Sequence, residues 1–450
     1  MARGLGQSDE AGGGNRAREI PAPLLTADQV ETKARERGIF VIGLTGPFGS
    51  GCSTAAQLLE AEAAEQKHPP YVRLKLSDFL HDLLGDDDRD ALQDLGNRIR
   101  HDEGNAALVV RGLGAILSER PEATRIAIDG IRNLGEVRWL RHALGERFSL
   151  FAIVADTKVR FNRQGSSMNW AQFYELDQRD QGESENYGQQ VNRCVDLADV
   201  LLPNMKQTTT WKREFGKRLR SYAALVEGRS HRFATPQEML MNAAYAASHG
   251  SKCVKRQVGC MVAIDSEPLA SGYNENPTGL KPCIEQFETC YRDIVRVERF
   301  HELSLAGAKC PYCSAPIPSD LFIPWSCPNC EKSLDSAFFP DRAMKWCTAL
   351  HAEERALINA GDRDLSEACL YATTFPCMLC AEKIIHAGIR EVVYIEAYPD
   401  AHGEVLFKEA GVKVGRFEGV RSRNFELYFS GTQPEMEKAA VANLKDLGVA

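Results

Sequence analysis

Two short segments in the last third of this 450-residue chain constrain its fold more than any other feature. HAEERAL (351–357) is followed, 25 residues after its histidine, by PCMLC (376–380), with the apolar stretch CLYATT (369–374) between them. A histidine and two cysteines at this spacing meet if two helices begin beside the end of one intervening strand. Helix N-termini favour thiolates, and three such ligands leave a fourth zinc position open for water. The pattern therefore predicts a catalytic zinc held by His351, Cys377 and Cys380.

Glu353 adds a proton carrier to these three ligands. The arrangement H-x-E…P-C-x-x-C is the pattern of zinc deaminases, in which the glutamate is not a ligand. Glu353 is predicted to take a proton from water and to pass it to the ring N3 and to the leaving ammonia of a cytosine. A closed structural zinc site would need a fourth ligand, which no adjacent residue supplies, so we favour a catalytic site.

A second group of cysteines lies in a Pro-rich and Cys-rich segment, residues 283–346, which is predicted to be irregular. Two C-x-x-C pairs are separated there by thirteen residues, which predicts a zinc-ribbon insertion. Such a zinc would stabilise a segment too short to build its own core. The predicted structural ligands are Cys310, Cys313, Cys327 and Cys330. Cys283 and Cys290 lie nearby and are predicted to be buried thiols, although a further metal stays open.

The stretch GPFGSGCST (46–54) follows the apolar run IFVIGLT (39–45). A glycine-rich loop between a strand and a helix presents converging backbone N–H groups to an anion, as in phosphate-binding loops. Cys52 stands where such loops carry the lysine that stabilises phosphoryl transfer. We therefore predict nucleotide binding with Mg²⁺ and little or no kinase activity, with a ligand-free glycine turn as the alternative. The predicted nucleotide-binding residues are Gly46, Gly49, Ser50, Gly51, Cys52, Ser53, Thr54 and Asp129.

Apolar runs alternate with helical patterns along the first half of the chain. Strands are predicted over 39–45, 71–76, 125–130, 148–155 and 198–204, which indicates an α/β domain with a parallel sheet between helical layers. We place this three-layer P-loop domain at 37–228 and a zinc-binding domain at 235–430. Residues 1–36 are predicted to be disordered, and 431–450 to form a C-terminal helix or tail.

The second domain resembles deoxycytidylate deaminases over most of 236–430. The resemblance is carried by SKCVKRQVGCMVAI (251–264), GYNENPTG (272–279), HAEERAL and the stretch 376–400. It implies an α/β/α cytidine-deaminase-like fold and a homo-oligomer. It also implies that Asn274 contacts the sugar of the substrate and that Tyr398 lies near the substrate.

The first domain resembles nucleotide kinases and dephospho-coenzyme A kinases in IDGIRNLGEVRWL (128–140) and VADTKVRFNR (154–163). This resemblance implies that Arg160 and Arg163 face phosphate groups. A kinase-like domain ahead of a deaminase, with a Cys-rich insertion, resembles bacterial anti-phage dCTP deaminases. That resemblance implies conversion of dCTP and dCMP to the uracil nucleotides and depletion of dCTP during phage infection. A regulatory RNA or a phage factor is a candidate partner.

Composition and charge narrow the remaining choices. The chain has a net charge of −8, and it lacks the run of about 18 apolar residues that a membrane span needs. Its first residues have no apolar segment of a secretory signal, so a cytoplasmic protein is expected. A tRNA or single-stranded DNA deaminase would need a basic, aromatic-lined channel and is disfavoured. A bifunctional kinase–deaminase, and an RNA- or protein-binding regulator with an inactive site, also stay open.

Overall fold

The computed structural model divides the chain into two compact units, residues 1–231 and 232–450. No helix among the described residues is long and apolar enough to cross a membrane. The structure describes residues 20–61, 68–84, 89–165, 168–182, 186–205, 208–318, 326–330, 332, 334–339, 346–396 and 402–429.

The first unit alternates strands with helices. Its elements are α1 (Ala27–Glu36), β1 (Phe40–Thr45), α2 (Cys52–Glu60), β2 (Val72–Lys75), α3 (Leu76–Leu84), α4 (Arg89–Glu103), α5 (Ala107–Glu119), β3 (Arg125–Asp129), α6 (Leu134–Leu144), a 3₁₀ turn (Gly145–Arg147), β4 (Phe148–Val154), α7 (Thr157–Asn162), α8 (Trp170–Gln181), α9 (Val191–Asp196), β5 (Val200–Pro203) and α10 (Trp211–Val226).

The strands of this unit form a parallel sheet in the order β5-β4-β1-β3-β2. All five predicted strands are confirmed. The strands β3 and β4 are fully buried, as expected for a sheet covered on both faces. The chain leaves β1 at its carboxyl end between β3 and β4, where the strand order changes direction and where open α/β sheets bind ligands. The loop 46–51 therefore occupies the position that the sheet makes available for a ligand.

The predicted disorder of residues 1–36 is wrong for 27–36, which form α1. Thr26 caps this helix: its hydroxyl accepts from Gln29 N, and the Gln29 side chain accepts from Thr26 N. Val30 and Ala34, one turn apart, are buried. A polar helix with only two buried side chains gives a weak hydrophobic pattern, which is why the sequence did not indicate it. Residues 1–19 lie outside the described residues.

The second unit combines a mixed sheet with helices and an insertion. Its elements are α11 (Pro236–Ser248), β6 (Gly259–Ile264), β7 (Glu267–Tyr273), α12 (Cys283–Phe287), α13 (Tyr291–Leu305), α14 (Asp335–Phe338), α15 (Ala352–Ala360), β8 (Ala368–Thr374), α16 (Met378–His386), β9 (Glu391–Glu396), α17 (His402–Glu409), β10 (Lys413–Arg416), β11 (Gly419–Val420) and α18 (Ser422–Phe429).

The sheet of the second unit has the order β7-β6-β8-β9-β10. β6 pairs antiparallel with β7 and β8, whereas β8, β9 and β10 are parallel. Gly272 on β7 lies so close to α15 that a Cβ there would be 2.2 Å from Ala352 O. Because α15 lies directly against β7, the start of this helix is fixed relative to the sheet.

The segment 283–346 was predicted to be irregular, and this is wrong for α13, a helix of 15 residues. Phe300 on α13 is buried in a small hydrophobic core whose other members come from the segment that follows. The helix therefore depends on contacts with that segment. That dependence is not visible in the helical pattern of the sequence. The members of this core are Phe300, Cys310, Ile317, Cys327, Leu334 and Phe339.

Candidate functional site

The structure brings together the three predicted ligands of the first zinc. His351 Nδ1 lies 3.2 Å from Cys380 Sγ and 3.4 Å from Cys377 Sγ. With zinc–nitrogen and zinc–sulfur bonds of about 2.0 and 2.3 Å, these separations fit one shared ion. His351 is the N-cap residue of α15 and Cys377 that of α16. Two helix N-termini therefore converge here, as the spacing predicted.

The side chains of this cluster shift one another's pKa values. The hydrogen bond from Cys380, followed by that from His351, lowers the pKa of Cys377 to about 4. The hydrogen bond with Cys377 raises the pKa of His351 to about 9, against the opposing effect of burial. A lowered thiol pKa favours the thiolate form that a metal needs, and metal binding would require a neutral imidazole.

Glu353 lies buried beside the ligands, with 4% of its surface exposed. Burial raises the pKa of its carboxyl above the ordinary value, while the charge of His351 acts in the opposite direction. A buried carboxyl with a raised pKa holds an accepted proton more readily than an exposed one and can then donate it. The geometry therefore suits the proton-transfer role predicted for Glu353.

The sequence analysis did not single out Glu354 and Lys383. These two residues hold His351 in place. Glu354 accepts a 2.8 Å hydrogen bond from His351 N and a 2.5 Å bond from Lys383 Nζ. The first contact caps α15, and the second ties α15 to α16. A glutamate three residues after an N-cap is the sequence pattern of a capping box and could have revealed this contact.

The segment before His351 is anchored by Glu275, whose backbone pairs with that of Leu350 at 2.8 and 3.2 Å. The neighbouring Asn274 accepts from Val258 N at 2.8 Å and donates to Arg256 O at 2.9 Å. Its side chain thus holds residues 256–258 against the end of β7, and the sugar contact stays a prediction. Tyr398 lies outside the described residues.

The four predicted ribbon cysteines also form one cluster. Cys310 and Cys330 have their Sγ atoms 3.7 Å apart, and those of Cys313 and Cys327 are 3.5 Å apart. Ser314, at φ +60°, closes the first knuckle with a 2.9 Å bond from its N to Cys310 O. Four sulfurs at these separations fit a structural zinc with no open position.

Cys283 and Cys290 do not join a third cluster of metal-ligand side chains within the described ranges. Cys290 is buried, as predicted. Cys283 is only partly buried, and its thiol lies 3.6 Å from Thr348 Oγ1.

The loop 46–51 of the first unit needs its glycines. Gly49 and Gly51 have φ values of +77° and +109°, which side chains rarely adopt. A Cβ on Gly46 would lie 2.1 Å from Ile153 O. Gly51 is the N-cap of α2 and no side chain caps this helix, so the amides of its first turn are available to an anion.

Two arginines from a later segment donate hydrogen bonds to backbone carbonyls of this loop. Arg160 donates to Phe48 O at 2.9 Å and pairs with the buried Asp177. Arg163 donates to Gly49 O and Ser50 O, both at 3.1 Å. The phosphate-facing role expected for Arg160 is therefore wrong, because this side chain is buried and the protein engages its whole guanidinium group. The same role for Arg163 stays a prediction. The sequence pattern of residues 154–163 did not reveal that the loop carbonyls need hydrogen-bond donors.

A buried carboxylate lies beside the first turn of α2. Asp129 is 4% exposed, and its Oδ2 has no hydrogen-bond partner among the described residues. Burial raises the pKa of Asp129, and a hydrogen bond from the Ser53 side chain lowers it in part. An orphaned carboxylate oxygen near a hydroxyl fits a Mg²⁺ ligand pair.

Cys52 carries no charge at neutral pH. Burial, and then the charge of Asp129, raise the pKa of its thiol to about 12. The side chain in the lysine position is therefore a neutral thiol, and it supplies neither a positive charge nor a thiolate.

Comparison with known proteins assigns residues 234–396 to the cytidine and deoxycytidylate deaminase zinc-binding region. A deoxycytidylate deaminase of Mycobacterium phage D29 is 31% identical over 157 residues, which are 35% of this chain and 91% of that protein. The Saccharomyces cerevisiae deoxycytidylate deaminase is 32% identical over 179 residues, 39% of this chain and 43% of that protein.

A third relative, the Schizosaccharomyces pombe deoxycytidylate deaminase, is 29% identical over 301 residues. This match covers 65% of the chain and 77% of the relative. It is longer than the second unit, residues 232–450, and so it extends into the first unit.

Proposed function

The chain belongs to the cytidine and deoxycytidylate deaminase family, and from this membership we propose that it deaminates dCMP and dCTP to the deoxyuridine nucleotides. Water adds to C4 of the cytosine ring and ammonia leaves, so that a uracil ring is formed. The observation that carries this proposal is the buried Glu353 beside the cluster of His351, Cys377 and Cys380.

Different residues of the chain have different roles in this reaction. A zinc ion, when bound by the three ligands, supplies the Lewis acidity that makes water nucleophilic near neutral pH. Glu353 accepts one proton from the attacking water and delivers it to N3; it then accepts the proton of the new C4 hydroxyl and delivers it to the amino group, which leaves as ammonia. Glu354 and Lys383 hold His351 and α16 in place during these transfers. Asn274 and Tyr398 contact the nucleoside in this proposal.

The first unit is proposed to bind a nucleoside triphosphate with Mg²⁺ as a regulatory ligand. The uncapped amides of α2 would hold phosphate oxygens, and Asp129 with Ser53 would hold the cation. A neutral Cys52 offers no charge to a phosphoryl group in transfer, so we expect binding without kinase activity.

The biological proposal is that deamination lowers the dCTP pool of a bacterial cell during phage infection. Its support is the resemblance of the two-domain arrangement to anti-phage dCTP deaminases. A homo-oligomer, and control by an RNA or a phage factor, belong to the same proposal.

A product assay tests the activity. Zinc-loaded protein is given dCTP, dCMP, deoxycytidine, CTP and single-stranded DNA in parallel, and products are separated by anion exchange, with Glu353→Ala as the control. We expect uracil products from dCTP and dCMP that are absent in the control. Turnover of DNA alone would overturn the proposal, and turnover of dCMP without dCTP would overturn its dCTP part.

A second experiment tests the biological role. Cells expressing the wild type or Glu353→Ala are infected with phage, and dCTP and dUMP are quantified over time. A fall in dCTP that requires Glu353 is expected. An unchanged dCTP pool in infected wild-type cells, with active enzyme recovered from them, would contradict the defence role.

A further inference from the structure

Helix α8 contacts the glycine-rich loop of the first unit through Phe48. The Asp180 carboxylate accepts a 2.9 Å hydrogen bond from Phe48 N. On the carbonyl side, Arg160 donates to Phe48 O at 2.9 Å and pairs with Asp177 of the same helix. The Phe48 ring contacts the ring of Phe173, with centroids 5.8 Å apart. Carboxylates of α8 thus bind both backbone polar groups of Phe48, one directly and one through an arginine.

Asp180 is a buried acid beside this loop. Its side chain has no exposed surface, and its second carboxylate oxygen pairs with the guanidinium of Arg132. One carboxylate therefore accepts from a loop amide and from an arginine. Loop amides and guanidinium groups are the donors that bind phosphate oxygens in proteins. The Asp180 carboxylate thus has the contacts that a phosphate group would have at this place.

Arg132 brings a positive charge near the position that lacks its lysine. It lies three residues after Asp129, and its guanidinium donates a 3.1 Å hydrogen bond to Gln189 Oε1. Burial raises the pKa values of the Cys52 thiol and the Asp129 carboxyl, and the charge of Arg132 opposes this rise in both groups. The Arg132 side chain is 27% exposed, so a ligand that replaces Asp180 can reach it.

On another side, α8 is held by exposed contacts. Arg179 pairs with Asp90 and Asp94 of α4, whose side chains are 60% and 71% exposed. Exposed ion pairs contribute little to stability, so these two pairs hold the helix weakly. Trp170 and Tyr174 of α8 are about half exposed. A ligand that competes with Asp180 therefore meets little resistance from this side of the helix.

We propose that Phe48 N and Arg132 form a phosphate subsite of the loop, and that Asp180 occupies this subsite until a nucleoside polyphosphate displaces it. This inference rests on the proposed nucleotide binding by the first unit. It gives that unit an internal competitor, because the affinity for the ligand is reduced by the free energy needed to withdraw Asp180. Arg132 exchanges one anionic partner for another, so its charge is neutralised in both states.

The test compares Asp180→Asn with Glu175→Gln, which removes a charge from an exposed position of the same helix. ATP and GTP with Mg²⁺ are the probes, because the zinc cluster is proposed to act on cytosine nucleotides, and calorimetry measures their affinity. Asparagine keeps an oxygen that can accept from Phe48 N, but it offers no charge to Arg132. We therefore expect Asp180→Asn to bind the better of the two probes about tenfold more tightly than the wild type. Glu175→Gln should bind like the wild type.

The nucleoside without phosphate separates the proposal from a general loosening of the fold. Its affinity should be the same for the wild type and for Asp180→Asn. Unchanged or weaker triphosphate binding in Asp180→Asn would overturn the proposal, and so would an equal gain for the nucleoside. Adding Arg132→Met to Asp180→Asn should weaken triphosphate binding by about tenfold, because the subsite then loses its guanidinium. No loss on this addition would overturn the role of Arg132.

Hydrogen exchange of the wild type gives a readout that needs no variant. On saturation with the triphosphate and Mg²⁺, the amides of α8 should exchange faster and those at the start of α2 more slowly. Slower exchange of α8 would show that this helix closes over the ligand instead of withdrawing, and it would overturn the proposal.

A second variant serves if Asp180→Asn does not fold. Arg179→Gln removes the exposed pairs of α8 with α4, so withdrawal becomes easier and triphosphate binding should tighten about twofold to fivefold. Unchanged binding in this variant would contradict the proposal. If neither ATP nor GTP binds to the wild type or to any of these variants, the proposed nucleotide binding by the first unit is itself contradicted.

Discussion

The zinc cluster and the loop 46–54 are both built at helix N-termini, yet they use different parts of the chain. At the zinc cluster, side chains do the chemistry: a histidine, two cysteines and a buried glutamate occupy every required position. At the loop, the proposed binding groups are backbone amides, and the position expected to carry a lysine holds a neutral thiol. A site made of side chains is lost with any one of them, whereas a site made of amides survives the loss of a side chain.

The largest effect is expected at Glu353. Glu353→Gln keeps the size of the side chain and the three ligands, but it removes the proton acceptor, so kcat should fall by about 10²–10⁴-fold. Steady-state kinetics and zinc analysis measure this, with Glu354→Gln as the control, because its amide oxygen can still accept from His351 N and the variant should retain much more activity. General acid–base catalysis contributes more than about a tenfold rate increase. A Glu353→Gln enzyme with more than about a tenth of wild-type kcat would therefore contradict the view that this side chain is essential to the zinc cluster.

The second effect concerns the scaffold of the zinc cluster. Gly272→Ala would place a Cβ 2.2 Å from Ala352 O and 2.5 Å from Ala356 N, so α15 must shift. Overpacking of this kind costs about 1–3 kcal/mol in the free energy of unfolding. Urea denaturation of the zinc-loaded protein measures it. The matched control is Gly415→Ala, because a Cβ at Gly415 meets nothing within 4 Å. Equal urea-denaturation midpoints for the two variants would show that the close contact between β7 and α15 is not needed for stability.

The third effect is expected at Asp129. Asp129→Asn removes the orphaned charge, and Mg²⁺-dependent nucleotide binding to the first unit should weaken about tenfold or more. Because burial raises the pKa of Asp129, the ionised carboxylate costs stability above that pKa, and the variant should fold at least as well. Titration with a fluorescent nucleotide, with and without Mg²⁺, measures the affinity.

The pH dependence sharpens this test. In the wild type, Mg²⁺-dependent binding should fall as the pH drops through the raised pKa of Asp129, because the protonated carboxyl cannot hold the cation. The asparagine variant should lose this dependence. Binding that depends equally on Mg²⁺ in both proteins would place the cation elsewhere.

The smallest effect is expected at Cys52. Because the backbone is expected to hold the phosphates, Cys52→Ala should change nucleotide affinity by no more than about twofold. Cys52→Lys should tighten binding, since it restores a charge-assisted contact. A large loss of affinity in Cys52→Ala would show that the loop is not a backbone site and would remove the contrast with the zinc cluster.

The sequence predicted the elements that carry the sites well, because their patterns are local. The runs before Gly46 and after Glu367 are buried strands, and H-x-E and C-x-x-C place ligands within one or two turns of a helix start. Helix α1 and helix α13 were missed for a physical reason. Each has few buried residues, and its stability comes from contacts with segments distant in the sequence.

The sequence by itself determined which side chains could hold zinc, which one could move protons and which position lacks its lysine, since these follow from residue type and spacing. Only the tertiary structure decided the partners. It places Arg160 and Arg163 on the loop carbonyls and leaves Asp129 Oδ2 without a partner among the described residues. It also brings Asp293 of the insertion to Lys255. Long side chains can reach several groups within hydrogen-bond distance, and only the packing of separate segments selects the one that is bound.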